Sequence, residues 1–225
     1  MLTLAQRNQR RKQAAQAAAT DAPIMDGATP YELQLMQLKQ DQLRLKQIQS
    51  AQGKAKLKAK LLPAYQPYIQ GVLQSGTGAQ DEIVTTIMLW HIDAGDYPSA
   101  LPIAQYVLEH GLKMPDRFAR TSACVVAEEV SDAALNQLKQ GQPFSRELLE
   151  QTEQITHSHD MPDEVRAKLH LALGKLWLAQ GEQQNDAAAL QTAVDELTTA
   201  ISLHDRCGGK KDLERAERLL KNFGR

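Results

Sequence analysis

Helix-start and helix-stop signals recur along most of this 225-residue chain. Ser, Thr, Asp or Asn stand before segments rich in Ala, Gln and Leu, and Gly or Pro follow those segments. No segment alternates apolar and polar residues over a useful length, and aromatic residues, which favour strands, make up only 4% of the chain. The sequence therefore predicts an all-α protein, with a long N-terminal coiled-coil-like helix followed by a bundle of helical hairpins.

The clearest helix start is at Thr29, because Pro30 suits the first helical turn and Glu32 completes a capping box. No proline follows Pro30 until Pro63, so residues 29–62 predict one long, basic, Gln- and Leu-rich helix, with Gly53 as a possible interruption. Near-heptad apolar spacing predicts an oligomerisation face formed by Tyr31, Leu35, Leu38 and Leu45. A second stripe widens the apolar face of this helix and suits packing against several neighbours: Leu33, Met36 and Leu43.

The remaining punctuation divides the chain into further segments. Residues 1–28 are interpreted as a flexible basic arm, and residues 63–80 as a linker or a short helix between turns. An acidic helical body is predicted over 81–203 and a basic C-terminal helix over 204–225. Within these two segments we expect helices at about 81–94, 97–110, 117–139, 145–156, 162–180, 186–203 and 211–222.

The net charge of −1 conceals a strong separation of charge along the chain. Residues 1–62 carry a net charge of +7, residues 81–203 a net charge of −11, and residues 204–225 a net charge of +3. Such asymmetry predicts a polyanion-binding N-terminal end attached to a body that does not bind polyanions, although a solubilising tail and a solvated helix face are the alternative. The candidate phosphate-binding cations are Arg7, Arg10, Arg11, Lys12, Lys54, Lys56, Lys58 and Lys60.

No motif predicts a metal, a cofactor or a catalytic residue. Cys124 and Cys207 lie far apart without a CxxC or Cys/His cluster, so free thiols in a reducing cytosol are expected. The HSHD segment from His157 to Asp160 and the pair Glu128-Glu129 are possible metal ligands. The HSHD segment is better explained as a turn, because His, Ser and Asp are ordinary turn residues. The two glutamates are better explained as structural acids, because adjacent helical residues point about 100° apart and cannot easily share one ion. Nucleotide-binding and hydrolase motifs are absent, as are a membrane-spanning run and a secretory signal.

Three long strings carry a resemblance to a known family. They are LTLAQRNQRRKQA, the block TPYELQLMQLKQDQLRLKQIQSAQGKAKLKAKLLPAYQPYIQGVL, and IMLWHIDAGDYPSALPIAQYVLEHGLKMPDRFAR. On the basis of these strings the chain resembles, over most of its length, the small terminase subunits of temperate, contractile-tailed enterobacterial phages, a family sometimes labelled the endonuclease subunit. No helix-turn-helix signature is recognisable in the first hundred residues, so the resemblance does not identify the element that contacts DNA.

The resemblance implies a protein that recognises double-stranded viral DNA at the packaging site and regulates a large motor and nuclease subunit, which would carry the catalytic centre. It also implies a ring of many copies acting in the host cytoplasm. The C-terminal helix is a candidate for docking the large subunit through Leu213, Leu219, Leu220 and Phe223, with core packing as the alternative. The competing functions are a helical adaptor with a basic tail and, third, a metal-dependent endonuclease.

Overall fold

The computed structural model describes residues 6, 8–12, 29–114 and 120–223. Residues 6 and 8–12 are helical, and the rest of the described chain forms ten α-helices and one 3-10 turn without a strand. The all-α prediction is therefore confirmed for this part of the chain. The elements are α1 (Pro30–Lys46), α2 (Ala51–Leu61), the 3-10 turn (Leu62–Ala64), α3 (Gln66–Ser75), α4 (Glu82–Asp93), α5 (Tyr97–Glu109), α6 (Ser122–Lys139), α7 (Arg146–Thr156), α8 (Asp163–Gln184), α9 (Ala187–Leu203) and α10 (Lys210–Phe223).

The chain forms two compact units, an N-terminal unit (Met1–Ser122) and a C-terminal unit (Ala123–Arg225). The boundary falls inside the segment 81–203, which the charge pattern had suggested as one body. Within the ranges that the structure describes, no helix is both long and apolar enough to cross a membrane.

The prediction of a single helix over residues 29–62 is wrong, because the chain turns between Lys46 and Ala51 and forms two helices. Ser50 starts the second helix: its Oγ accepts a hydrogen bond from the backbone N–H of Gly53 at 3.1 Å. A Cβ at Gly53 would lie 2.7 Å from that oxygen, so the glycine allows the close capping contact. The interruption therefore precedes Gly53, and Gly53 belongs to the new helix start.

The capping box at the start of α1 is confirmed. The backbone N–H of Thr29 donates to a Glu32 carboxylate oxygen at 2.7 Å, and the backbone N–H of Glu32 donates to Thr29 Oγ1 at 3.2 Å. The hydrogen bonds that the Glu32 carboxylate accepts from the Thr29 backbone N–H and from Thr29 Oγ1, at 2.7 and 3.0 Å, lower the pKa of this carboxyl group. The first helix therefore begins at a defined residue.

Helix α4 forms the centre of the N-terminal unit, and nine of its twelve residues are buried. Asp81 caps it: one carboxylate oxygen accepts from the backbone N–H groups of Ile83 and Val84 at 2.7 and 3.2 Å, and the other accepts from Tyr68 Oη at 2.6 Å. Burial is the largest influence on Asp81 and raises the pKa of its carboxyl group. The cap therefore joins the start of α4 to α3.

Residues 63–80 contain a short helix between turns, which is one of the two structures that the sequence suggests for them. Helix α3 buries Tyr68, Ile69 and Val72, and Tyr65, just before it, is fully buried. Tyr65 packs edge-on against Trp90 of α4, with ring centroids 5.8 Å apart. This segment is therefore part of the hydrophobic core.

In the C-terminal unit, α8 and α9 pack antiparallel with almost no space between them. A Cβ at Gly174 would lie 2.7 Å from Leu197 Cγ and 3.2 Å from the Leu197 backbone nitrogen, and Gly181 faces Leu190 in the same way. The two glycines are seven residues apart on α8, as the two leucines are on α9. This repeat lets each leucine fill a position that has no side chain opposite.

Ion pairs also join α8 to its neighbours in the C-terminal unit. Lys168 Nζ lies 3.5 and 3.0 Å from carboxylate oxygens of Glu128 and Asp132 on α6, and His170 Nδ1 lies 2.7 Å from Glu196 Oε2 on α9. Two further ion pairs join α8 to α10: Lys175 pairs with Asp212, and Glu182 pairs with Arg215. Many acids of this unit therefore face cations of the same unit.

Candidate nucleic-acid interface

The four lysines predicted to bind DNA in the second cluster all lie on α2, but they do not form one stripe. Residues two positions apart on a helix point about 200° apart, whereas residues four apart share a face. Lys56 and Lys60 therefore share one face and are both exposed, and Lys54 and Lys58 share another and are half-buried. The structure thus divides the cluster into two pairs.

Lys58 is held inside the N-terminal unit. Its ammonium group pairs with the carboxylate of Asp93 at the end of α4, and only 15% of the Lys58 side chain is exposed. The carboxylate neutralises the lysine charge and so weakens its attraction to a phosphate. Among the described residues, no carboxylate lies within ion-pair distance of Lys56 or Lys60, so these two are the lysines of α2 best placed for phosphate contact.

Of the first cluster, Arg7 lies outside the described residues, as do most of residues 1–28. Arg10 and Lys12 are exposed, and Arg11 is half-buried, on the helical segment 8–12. The arm hypothesis therefore remains a prediction.

The predicted oligomerisation residues point mostly into their own chain. Leu38 and Leu45 are buried, and Tyr31 and Leu35 are half-buried. Beside Leu38, Asp41 is buried on the same face, where its carboxylate accepts from Tyr65 Oη at 2.9 Å and pairs with Arg44 at 2.8 Å. This polar network fixes which side of α1 faces the core.

The second apolar stripe of α1 is the exposed one. Leu33, Met36 and Leu43 have 58%, 57% and 60% of their surface exposed. They share a face with exposed Gln40, and the four positions 33, 36, 40 and 43 follow the 3-4-3 spacing of a heptad seam. We call these four residues the outer stripe. The spacing of the outer stripe is visible in the sequence. The burial of Asp41 on the opposite face of α1 was not predicted.

The remaining candidates have structural contacts. His157 Nδ1 lies 2.8 Å from the carbonyl oxygen of Gln154, and Arg166 donates to the carbonyl oxygen of His159 at 2.6 Å, so the HSHD segment forms a turn held to α8. Outside the predicted candidates, His91 pairs with Asp96 at 2.9 Å, and burial is the largest influence on His91 and lowers its pKa. The described part of the chain contains no group of three or more His, Cys, Asp or Glu residues placed to hold a metal ion.

The C-terminal helix places three of its four candidate docking residues against its own unit. Leu213, Leu219 and Leu220 pack on the core cluster of α8 and α9, in agreement with the alternative of core packing. Phe223 is 40% exposed. An apolar docking face on α10 is therefore reduced to Phe223.

Comparison with known proteins identifies the family. The model of the phage small terminase subunit family matches residues 35–164, which include α2 and its lysines. The chain belongs to this family. The "Terminase, endonuclease subunit" of Escherichia phage P2 is 44% identical to this small terminase over 221 residues, covering 98% of this chain and 87% of the relative.

A second relative, the "Probable terminase, endonuclease subunit" of Haemophilus phage HP1, is 24% identical over 162 residues, which cover 69% of this chain and 58% of the relative. No solved structure matches this small terminase. Family membership and the name of the phage P2 relative give the protein a role in phage DNA packaging. The family expected from the sequence is thus confirmed.

Proposed function

We propose that this small terminase binds double-stranded viral DNA at the packaging site and recruits or regulates the large motor and nuclease subunit in the host cytoplasm. Lys56 and Lys60 contact phosphates, together with Arg7, Arg10, Arg11 and Lys12 of the N-terminal cluster; Lys54 adds to them. The observation that carries the proposal is the exposure of Lys56 and Lys60 on one face of a helix that the Lys58–Asp93 ion pair joins to α4.

The proposed contact depends on phosphate charge, because lysines on a smooth helix face carry no pattern for base recognition. Each phosphate that a lysine neutralises releases condensed counterions, so binding weakens as salt concentration rises. A few such contacts give weak affinity in one copy. A homo-oligomer, which we propose as a ring, multiplies them through effective concentration.

We expect the double variant Lys56→Gln/Lys60→Gln to lose affinity for duplex DNA, and the slope of log K against log salt to become shallower by about 2 per copy. Fluorescence anisotropy of a labelled packaging-site duplex, titrated at several salt concentrations, measures this change. Lys58→Gln is the matched control: it makes the same substitution on the same helix but removes the ion pair with Asp93.

The control variant should keep the salt slope and lose a little thermal stability. Equal slopes for all three proteins would contradict the proposed contact on α2. A version that starts at Thr29 tests the N-terminal cluster separately, and unchanged DNA affinity in that version would restrict the interface to α2.

The names of the two relatives favour endonuclease activity as a second candidate function. We propose that cleavage is catalysed by the large subunit. Plasmid nicking by the isolated chain with Mg²⁺ or Mn²⁺, abolished by a single carboxylate substitution, would transfer the activity to this chain. DNA-independent binding of partner helices, unaffected by salt, would favour the helical adaptor instead.

A further inference from the structure

The outer stripe of α1 has the spacing of a coiled-coil seam, and in the part of the chain that the structure describes it lies largely exposed. Leu33 and Gln40 occupy one core position of the heptad, and Met36 and Leu43 occupy the other. The stripe lies opposite the buried residues of α1, and its three apolar members are more than half exposed. Helix α1 thus carries apolar residues on two opposite faces but buries only one of them, and a second helix on the outside would bury the other.

The charges beside the stripe restrict what that second helix is. On one flank lie exposed Glu32, Lys39 and Lys46, and on the other lie Gln37 and exposed Arg44. The acid stands at the start of α1 and the cations stand in its middle and at its end. A helix with this polarity is complementary to itself when the second copy runs in the opposite direction.

We propose that α1 pairs with α1 of a second copy as an antiparallel, two-fold coiled coil. Leu33 then packs against Leu43 of the other copy, and Met36 packs against its Gln40, each contact occurring twice. Glu32 faces Lys46 of the other copy at both ends of the pair, which gives two ion pairs. Only the two Lys39 residues meet as like charges, at the centre.

The parallel arrangement is less favourable for electrostatic reasons. In a parallel coiled coil each flank residue faces the opposite flank five positions further along the partner helix. Lys39 would then face Arg44 of the other copy twice, and Glu32 would face uncharged Gln37. Two repulsive pairs would replace two attractive ones, so the sequence disfavours this direction.

This inference rests on the multi-copy part of the proposed function and names its contact. A two-fold contact uses the same surface on both copies and closes at two. It therefore cannot build a ring by itself, and within a larger assembly it joins copies in pairs. The contact does not involve Lys56 or Lys60, so it can fail while DNA binding stands.

Two charge reversals of equal size test the direction of the pair in the full-length chain. Lys46→Glu turns both ion pairs into repulsion, and we expect dimerisation measured by sedimentation equilibrium without DNA to weaken about tenfold. Lys39→Glu exchanges one like-charge pair for another and should leave the dimerisation constant unchanged. Stronger association of Lys39→Glu would overturn the proposal, because only the parallel pair gains an attraction with Arg44.

Single cysteines test the same geometry in a Cys207→Ser background. Two Gln37 residues lie about 3 Å apart along the axis of the antiparallel pair, whereas two Gln47 residues lie about 27 Å apart. A short bis-maleimide should therefore link Gln37→Cys into dimers and leave Gln47→Cys monomeric on denaturing gels. Efficient linking of Gln47→Cys would overturn the antiparallel pair.

Removal of apolar surface completes the test. Leu43→Ser should reduce association at least as much as Lys46→Glu, while Phe223→Ser, which removes another exposed apolar side chain, should not. The proposal fails if the wild-type chain stays monomeric. It also fails if Leu43→Ser and Phe223→Ser both associate as strongly as the wild-type chain, because the stripe then belongs to another partner. Association that persists in every stripe variant would leave the multi-copy function intact and overturn this contact alone.

Discussion

Replacing Gly174 with valine is expected to lower the free energy of unfolding of the C-terminal unit by about 3 kcal/mol. The new Cβ would meet Leu197 Cγ at 2.7 Å and the Leu197 backbone nitrogen at 3.2 Å, and valine adds two methyl groups beyond it. The side chain of Leu197 can rotate only within a fully packed core, and its backbone belongs to α9. Helices α8 and α9 must therefore separate. Urea denaturation followed by circular dichroism measures the loss.

Two further variants separate this steric cost from helix propensity. Ala188→Val places the same side chain on an exposed position of α9 and should cost only a few tenths of a kcal/mol. In Gly174→Ala, the additional change Leu197→Ala should cost less than it does in the wild-type chain, because the two residues share one space. Additive effects of the two alanines would contradict the close contact.

Replacing Asp81 with alanine is expected to destabilise the N-terminal unit by about 2–4 kcal/mol, because two effects combine. The substitution removes the side-chain cap from the backbone N–H groups of Ile83 and Val84 and leaves the buried Tyr68 hydroxyl without its acceptor. Thermal unfolding, with near-ultraviolet circular dichroism of the tyrosines, detects the loss. A change below 0.5 kcal/mol, which is about the effect of an ordinary surface substitution, would show that the cap contributes little.

Asp81→Asn keeps an oxygen that can cap α4 and should cost less than the alanine variant. The substitution also removes the ionisable carboxyl group of Asp81. Burial raises the pKa of Asp81 in the folded chain above its ordinary value of 3.8, so the folded state binds more protons in that range. As pH rises above 3.8, the wild-type chain should therefore lose unfolding free energy relative to Asp81→Asn. A difference that stays constant with pH would contradict the burial of this carboxylate.

Most helix positions in the C-terminal two thirds of the chain were predictable from local chemistry, although α6 begins at Ser122 instead of about 117 and α8 extends to Gln184 instead of about 180. Asp81, Ser145 and Asp186 cap helices within one residue of the predicted starts, and Gly95, Gly111 and Gly141 occupy left-handed conformations between the predicted helices. Caps and left-handed glycines depend on neighbouring residues only, so the sequence carries them directly.

The choice of buried face on α1 was not predictable in the same way. Both faces carry leucines at helical spacing, and the face that is buried also carries Asp41 and Gln34. Asp41 is acceptable inside because Tyr65, 24 residues away, donates a hydrogen bond to it. Nothing within α1 itself indicates that partner. A tertiary hydrogen bond therefore decided the orientation, and with it which leucines remained available to a second copy.

The residues of the candidate DNA interface were predictable from their type, whereas only part of its geometry was predictable. The run KAKLKAK gave the lysines, and helical periodicity alone separates Lys56 and Lys60 from Lys54 and Lys58. The pairing of Lys58 with Asp93 required knowledge that α2 packs beside α4. Comparison with the phage P2 relative supplied the family, which neither the charges nor the helices specify.

The glycine and leucine repeat between α8 and α9 also determines where this protein tolerates added sequence. The connecting turn contains only Asn185, in a left-handed conformation, and Asp186, which caps α9. Lengthening that turn would strain the glycine–leucine alignment, whereas Gly141, Gln142 and Pro143 form an exposed turn with no such constraint. A fluorescent label or affinity tag for following packaging in an infected cell therefore belongs at residues 141–143, outside the α8–α9 hairpin.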